Sequence, residues 1–456
     1  MNIKNRFAVF IGKISKKLLR LLRRGGTTLP GRLALKISPG LLEQLASGVR
    51  CIVVTGTNGK TTSVRIIEEM FIQSDIPFFA NRSGANLISG VTTVFIDNCS
   101  LFGKMKKPWA LIECDEAASI EVCRLIDPEI VLVTNVFRDQ LDRFGEVSHT
   151  LENILSGIKN SPNAAVCLNA DCSLTVSIAN QIPNGIMFYG VDVPIYKNPV
   201  DEISDASHCI YCKHEYEYSY RTFGHLGGFS CPECGYSRPE RQLAVTEIIS
   251  TTLCSTTVAL DFSGEKEQAE INLPGGYNIY NAVAAFAVSE LVGFKRDDSI
   301  RAVGSFSCGF GRMEQFDLGK AKARMILIKN PAGCNQVLNY LASFTEKAVF
   351  VFCLNDRTAD GTDISWIWDV NFESLVRMGE ILGHVYVSGI RAYDMALRLK
   401  YAGIEEDKLS IVEDYDRLID TMCNQELPVV IVPTYTAMMD LREKMSSVFG
   451  AKNFWE

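Results

Sequence analysis

Residues 56–62 read GTNGKTT, and each residue type in the run suits phosphate. Glycines let backbone N–H groups turn inward on anionic oxygens, Lys60 reaches terminal phosphates, and Thr61 offers a hydroxyl to Mg²⁺ at a helix start. The β-branched run Ile52–Thr55 precedes the loop and a helical pattern follows it. Strand, glycine loop, helix is the context that separates a phosphate loop from a chance turn. Gly56, Thr57, Asn58, Gly59, Lys60, Thr61 and Thr62 are therefore read as a nucleotide-binding loop, with Lys60 placed to stabilise a transferring phosphoryl group.

A second cluster is Cys209, Cys212, Cys231 and Cys234, spaced C-x₂-C-x₁₈-C-x₂-C. Two matched knuckles fit tetrahedral Zn²⁺, and four thiolates leave no open position for water, so the expected metal is structural. His208, His214 and His225 are then expected at the ribbon surface rather than as ligands. A zinc ribbon also raises nucleic-acid binding. Between Ser204 and Arg238, however, four acids face only Lys213, Arg221 and Arg238. Phosphate-backbone binding needs a basic surface, which this segment lacks.

These clusters need a scaffold, and 456 residues are too many for one ordinary core. The net charge of −7 argues against a dedicated nucleic-acid binder. Fifteen cysteines, an odd number without a secretory signal, suggest a reducing cytoplasm rather than a disulfide framework. Residues 1–24 depart from the acidic balance, with eight Lys/Arg and no acid. This stretch is too charged to span a bilayer. It is either an amphipathic helix on an anionic membrane surface, at the inner face of the plasma membrane, or a helix packed on its own domain with a solvated basic face.

Apolar runs at WALIEC (109–114) and EIVLVTNV (129–136) alternate with helical stretches, which implies a parallel α/β sheet. Residues 201–240 interrupt that texture. After GRMEQF (311–316) a second series begins, with RMILIKN, AVFVFCL, GHVYVSG and PVVIVPT as candidate strands. The expected architecture is α/β. A basic helix and linker (1–44) leads into a central P-loop domain (45–304) with a ribbon inserted at about 201–240, followed by a C-terminal Rossmann-like α/β domain (305–456).

The loop GTNGKTT is similar to that of the Mur ligase superfamily, which joins carboxylates to amines through acyl phosphates. Five further stretches match in order: NRSGANLISGVTT (81–93), IECDEA (112–117), TNVFRDQLDRFGE (134–146), GGYNIYNAVAA (275–285) and GRMEQF (311–316). The resemblance implies ATP and Mg²⁺ as cofactors, with Asn278 and Asn281 on the adenine-side helix and Arg312 as an ATP-contacting hinge residue. It also implies a Mg²⁺ glutamate at Glu113 or Glu116. Both acids lie at a strand's carboxyl end, where open α/β sheets bind ligands, which favours Glu113 with Glu116 and Asp115 as alternatives. Gln140 stands where many members keep a metal-binding His, and Lys159 is the nearest lysine to the position several members carbamylate. A loop beginning at residue 56 leaves no room for a preceding UDP-binding domain, so a UDP-linked precursor is not the expected substrate.

The Cys₄ ribbon, KNPAGCNQVL (329–338), GIRAYDMALRLKYAGI (389–404) and VPTYTAMMDLREKM (432–445) narrow the resemblance to the MurT branch, the ligase-like subunits of lipid II isoglutaminyl synthase. That implies ATP-dependent amidation of the D-isoglutamate α-carboxyl in the lipid II stem peptide, as part of peptidoglycan synthesis. Ammonia would come from a GatD-type glutamine amidotransferase partner, since this chain has no convincing Cys/His glutaminase constellation of its own. The same resemblance gives a use to LNDRTADGTDISWIWD (354–369): an aspartate offered to the partner's Cys–His pair as the third, orienting group. ADGTD is a turn signal at a strand's carboxyl end, and Trp366 and Trp368 suit an interface. Asp363 and then Asp360 are the candidates, with Asp369 and Asp356 behind; the alternative is that these acids bind peptide or cap the next element. Competing readings are a folylpolyglutamate-synthase-like ligase and a noncatalytic ATP-binding scaffold.

Overall fold

The computed structural model describes residues 1–21, 26–81, 85–138, 147–195, 205–252, 255–306, 312–342, 344 and 346–449, without the side chains of Arg20, Arg312 and Met313. The run Arg50–Thr55 forms β1, whose side chains are buried beyond Arg50. Burial on both faces is what a near-continuous apolar run produces inside a parallel sheet covered by helices. β2 (Phe78–Ala80), β3 (Trp109–Glu113), β4 (Ile130–Val133), β5 (Ala165–Asn169) and β6 (Ile186–Val191) join it in parallel.

The hairpin of β7 (Glu217–Phe223) and β8 (Leu226–Ser230) stands apart from that sheet. β9 (Leu243–Thr251) returns beside β6 in parallel, and β10 (Thr256–Phe262) and β11 (Glu265–Ile271) extend the sheet as an antiparallel meander. The nine-stranded order is β11-β10-β9-β6-β5-β4-β1-β3-β2. The chain runs from β1 to one side through β3 and β2, and to the other through β4, β5 and β6. The switch point therefore lies at β1, where ligands gather in open α/β sheets. The helix Tyr277–Val292 is mostly apolar, with the polar Asn278, Asn281 and Ser289 among its buried residues, and is buried along nearly its whole length. It packs on the helix Lys60–Gln73 that follows the glycine loop.

A second sheet contains β12 (Arg312–Asp317), β13 (Lys322–Ile326), β14 (Ala348–Cys353), β15 (Leu382–Ser388), β16 (Leu409–Ile411) and β17 (Val429–Pro433), in the order β12-β13-β17-β14-β15-β16. The four strands expected from sequence are its interior. β12 is an antiparallel edge, and β16 is only three residues long. Two apolar clusters line the faces of this sheet, separate from the cluster around the first. The opening helices are not a detached leader: Ala8, Val9, Ala34, Leu41 and Leu42 are buried in the first core.

The two sheets meet at the glycine loop. Asn330 caps the helix Pro331–Leu341 by accepting from the Gly333 N–H, and its amide donates to Asn58 Oδ1 at 3.1 Å. Arg138, just past β4, forms an ion pair of 2.5 Å with Asp369.

Candidate active site

Pairing fixes the site first. β1 lies between β3 and β4, with Val54 opposite Glu113 and Thr55 opposite Val133. The three strand ends therefore open onto one crevice. Gly56 and Gly59 both take left-handed φ, and a side chain at either would collide, with Thr134 and Asn281 respectively. The loop is held from behind: Thr57 N–H donates to Asn135 O, Asn58 N–H to Asn135 Oδ1, and Thr134 Oγ1 to Asn58 O at 2.7 Å. Thr57 Oγ1 donates to Phe137 O and accepts from the Phe137 N–H. These bonds preorganise the loop without using the helix N-terminus itself.

Lys60 and Thr61 start the helix that leaves the loop, where the dipole favours anions. The Lys60 ammonium pairs with Glu116 at 2.6 Å and folds back on the carbonyls of Gly56 and Thr57. Thr61 Oγ1 donates to Glu113 Oε1 at 2.9 Å, and Thr62 is buried beside it. Hydroxyl and carboxylate oxygens so close, at the mouth of a phosphate loop, are the hard donors that Mg²⁺ takes. Glu113 is held in place by Asn81, which accepts from its N–H and donates to its carbonyl, both at 2.8 Å. Asp115 serves differently, accepting from the N–H groups of Ala117 and Ala118 before the next helix. The three acids thus separate by role: Glu113 on Thr61, Glu116 on Lys60, Asp115 as a cap.

Asn281 donates to Asn278 Oδ1 at 2.9 Å, and Asn278 donates to Pro274 O, so both amides on the Tyr277–Val292 helix are engaged beside Gly59. Gln140 and the Arg312 side chain lie outside the described residues. Lys159 is the exposed last residue of its helix.

The ribbon sulfurs of Cys209, Cys212, Cys231 and Cys234 all lie within 4.8 Å of one another, with Cys209–Cys234 at 3.6 Å and Cys212–Cys231 at 3.4 Å. Tetrahedral Zn–S bonds of about 2.3 Å put sulfurs about 3.8 Å apart, so the quartet fits the ion. Each knuckle closes the same way: Lys213 N–H donates to Cys209 O, Gly235 N–H to Cys231 O, and both residues take left-handed φ. Burial raises the Cys209 thiol pKa, but N–H donation from Cys212 and Tyr211 outweighs it and brings the thiol down to about 6.

The ribbon braces the phosphate loop. Phe223 of β7 stacks on Phe137, the residue that grips Thr57, and Thr222 hydrogen-bonds Tyr280 on the buried helix. Tyr280 in turn donates to Asp171, which also receives Arg238 at 2.6 Å and the Val191 N–H.

His225 corrects one expectation: it is fully buried, not at the ribbon surface. Its ring packs on Phe137 and its Nε2 lies 3.4 Å from Cys172 Sγ. Burial lowers the imidazole pKa to about 4 and raises that of the Cys172 thiol. Both are neutral at neutral pH and sealed from solvent, the opposite of an activated thiolate.

In the acid-rich segment, Asp360 is buried, and its carboxylate accepts the N–H and hydroxyl of Thr436 at the start of the last helix. Asp363 is exposed and accepts only locally, from the Ser365 N–H, which lowers its pKa. Asp369 pairs with Arg138, and Asp356 lies 3.7 Å from Arg391. Trp366 is half-buried on the second core, whereas Trp368 is half-exposed and meets Tyr401 edge-on. Sequence reading did not single out the outer face of the helix Ala392–Tyr401, whose exposed Tyr393, Leu397 and Tyr401 continue the surface of Trp368. Their i, i+4, i+8 spacing was the available signal.

Comparison with known proteins gives two family matches: the Mur ligase middle domain over residues 54–225 and the MurT ligase C-terminal domain over residues 327–438. The chain is 34% identical to the lipid II isoglutaminyl synthase (glutamine-hydrolyzing) subunit MurT of Streptococcus pneumoniae, covering 98% of each chain. It is 31% identical to the subunit of that name from Staphylococcus aureus, covering 97% of this chain and 98% of the other. In fold it is similar to MurF of Acinetobacter baumannii (TM-score 0.66, 16% identity, 92% and 81% covered). It is similar too to folylpolyglutamate synthase of Mycobacterium tuberculosis (TM-score 0.61, 14% identity, 93% and 96% covered).

Two outcomes are expected. Stripping the quartet with a chelator, or replacing Cys231 by Ser, costs about 2 kcal/mol, a fall of roughly 4–8 °C in Tm; it also weakens ATP binding, read by calorimetry, because the ribbon backs Phe137. For His225, the unfolded imidazole takes a proton below about 6.5 while the folded one waits until about 4. Stability is therefore complete above pH 6.5 and falls by about 3 kcal/mol as pH drops to 4. His225→Leu flattens that limb in urea unfolding compared across pH; an unchanged slope refutes the assignment.

Proposed function

Because this chain belongs to the MurT family, we propose that it amidates the α-carboxyl of the D-isoglutamate residue in the lipid II stem peptide. The full-length likeness to MurT subunits carries this reading, and the site supplies chemistry that fits it. ATP transfers its γ-phosphoryl group to a carboxylate oxygen, giving an acyl phosphate and ADP. Ammonia then attacks the carbonyl carbon, and phosphate leaves with the C–O bond pair. The products are an isoglutaminyl amide, ADP and phosphate.

The residues divide this work. N–H groups from Gly59 to Thr62, at the helix start, cradle the phosphates, and Lys60 exchanges its pairing with Glu116 for the charge that gathers on the transferred group. Glu113 and Thr61 would hold Mg²⁺, which when bound would neutralise charge on the phosphate oxygens. Asn278 and Asn281 take the adenine side, and Arg312 is the ATP-contacting hinge residue. The zinc held by the cysteine quartet is structural.

Ammonia comes from a GatD-type glutaminase subunit, since the Cys172–His225 contact is too buried to act as a nucleophile and base. Asp363 is the acid given to that partner's histidine, with Asp360 as second choice because Thr436 already occupies it. The exposed apolar stripe of Trp368, Tyr401, Leu397 and Tyr393 suits the docking of that subunit.

The decisive experiment co-expresses the chain with its glutaminase subunit and weighs lipid II. Conversion of one carboxyl to an amide per stem peptide is the expected result; unchanged lipid II with intact ATP binding supports a scaffold instead. Asp363→Asn is expected to cut glutamine-dependent amidation on the order of a thousandfold while sparing activity with ammonium salts. Equal loss with both nitrogen sources removes Asp363 from the triad.

A further inference from the structure

The N-terminal helix, Ile3–Leu21, has two apolar faces where a surface helix needs one. Asn5, Ala8, Val9 and Gly12 turn inward, and the chain spends real packing on them. Gly12 lies close against the Ile96 side chain, and Asn5 and Ser38 share a hydrogen bond. Lys13 donates to the carbonyls of Ile96 and Cys99, and Lys16 pairs with Asp97. The helix is thereby pinned on the helices Leu29–Ile37 and Ile88–Asn98 in one rotational setting.

That setting leaves Ile3, Phe7, Phe10, Ile14, Leu18 and Leu21 outward, each 39–85% exposed. At 3.6 residues per turn these positions fall within a stripe about 80° wide, directly opposite the packed face, and about 27 Å long. The exposed Leu101 and Phe102 extend it at the helix's amino end, where the Arg6 guanidinium lies 5.5 Å from the Phe102 ring centroid. Lys4, Arg6 and Lys17 are exposed along its margins, and Ile3–Leu21 contains no acid. The basic flanks stand on a chain whose net charge is −7.

We infer that this stripe is a docking surface for an anionic lipid bilayer, on which the helix lies flat with its outer face among the headgroups. Charge selects the occupant. Two copies of the stripe brought together would set basic margin against basic margin, whereas an anionic leaflet matches them. Length agrees: no helix among the described residues is long and apolar enough to cross a membrane, so contact is in the interfacial plane. Of the two sequence alternatives, the packed helix is what the inner side shows; the membrane contact is inferred for the outer side of the same element. The inference goes beyond the proposed amidation and does not depend on it.

Sedimentation of the full chain with substrate-free vesicles tests it. Binding is expected to vesicles of equal parts phosphatidylglycerol and phosphatidylcholine, and to be at least about tenfold weaker to phosphatidylcholine alone. The double variant Phe7→Ser, Phe10→Ser and the double variant Lys4→Gln, Lys17→Gln each lose at least about tenfold in vesicle affinity. Both keep wild-type Tm and ATP affinity, since these side chains point away from the core. Failure of the wild type to bind the anionic vesicles, or wild-type binding by both variants, overturns the inference. So does a wild-type dimer in analytical ultracentrifugation that the phenylalanine variant converts to monomer, which gives the stripe to a second copy. Because no substrate is present, none of these outcomes bears on the amidation reading.

Discussion

The parallel pairing of β1 between β3 and β4 is the constraint on which the rest depends. A strand that ends inside a sheet delivers its loop into a crevice walled by its neighbours' loops. Here the neighbours bring Glu113 on one side and Thr134 and Asn135 on the other. Glycines at 56 and 59 are required by that crowding, since each backbone turns left-handed with a side chain of another element already in place. Position, then, precedes chemistry: the loop's hydrogen bonds to Asn135 and Phe137 set where Lys60 and Thr61 begin their helix.

Electrostatics complete the arrangement. A half-enclosed ammonium and a buried carboxylate each carry a desolvation cost that their pairing offsets. The Lys60–Glu116 ion pair meets that need when no phosphate is bound. Under the proposed function, phosphate oxygens would offer Lys60 a denser negative charge at the same helix terminus, and binding would be an exchange of partners rather than the capture of a free charge. Glu113, by contrast, has the neutral Thr61 hydroxyl as its side-chain partner among the described residues.

What could be read from sequence followed from locality. The phosphate loop and the cysteine quartet are defined by spacings of a few residues, and the buried strands by unbroken apolar runs. The meander β9–β11 escaped notice because only β10 alternates strictly, while β11 is exposed for its first four residues. β16 is too short to carry a pattern. The roles within the acid-rich segment were illegible for another reason. Asp360 and Asp363 are three residues apart and alike in sequence, but Thr436, on a distant helix, takes one and leaves the other in solvent. His225 was misplaced likewise, since its neighbours Phe137 and Cys172 come from the segments after β4 and β5 and not from the ribbon.

On the proposed function, a ligase fed by a partner's ammonia would have to hold two surfaces in register: the crevice of the glycine loop on the first sheet and the acid-rich segment on the second. Two direct contacts between them involve those same places. Asn330 touches Asn58 within the glycine loop, and Asp369 of the acid-rich segment pairs with Arg138 next to β4. Neither is strong. One side chain–side chain hydrogen bond contributes about 1 kcal/mol, and an ion pair whose members are 30% and 37% exposed contributes at most about that in salt. Apolar packing adds to them, since Tyr277 lies against the cores of both sheets. Under the proposed function, Asn330 and Asp369 are the residues by which a nucleotide on the glycine loop and a partner on the acid-rich segment would each touch the opposite sheet.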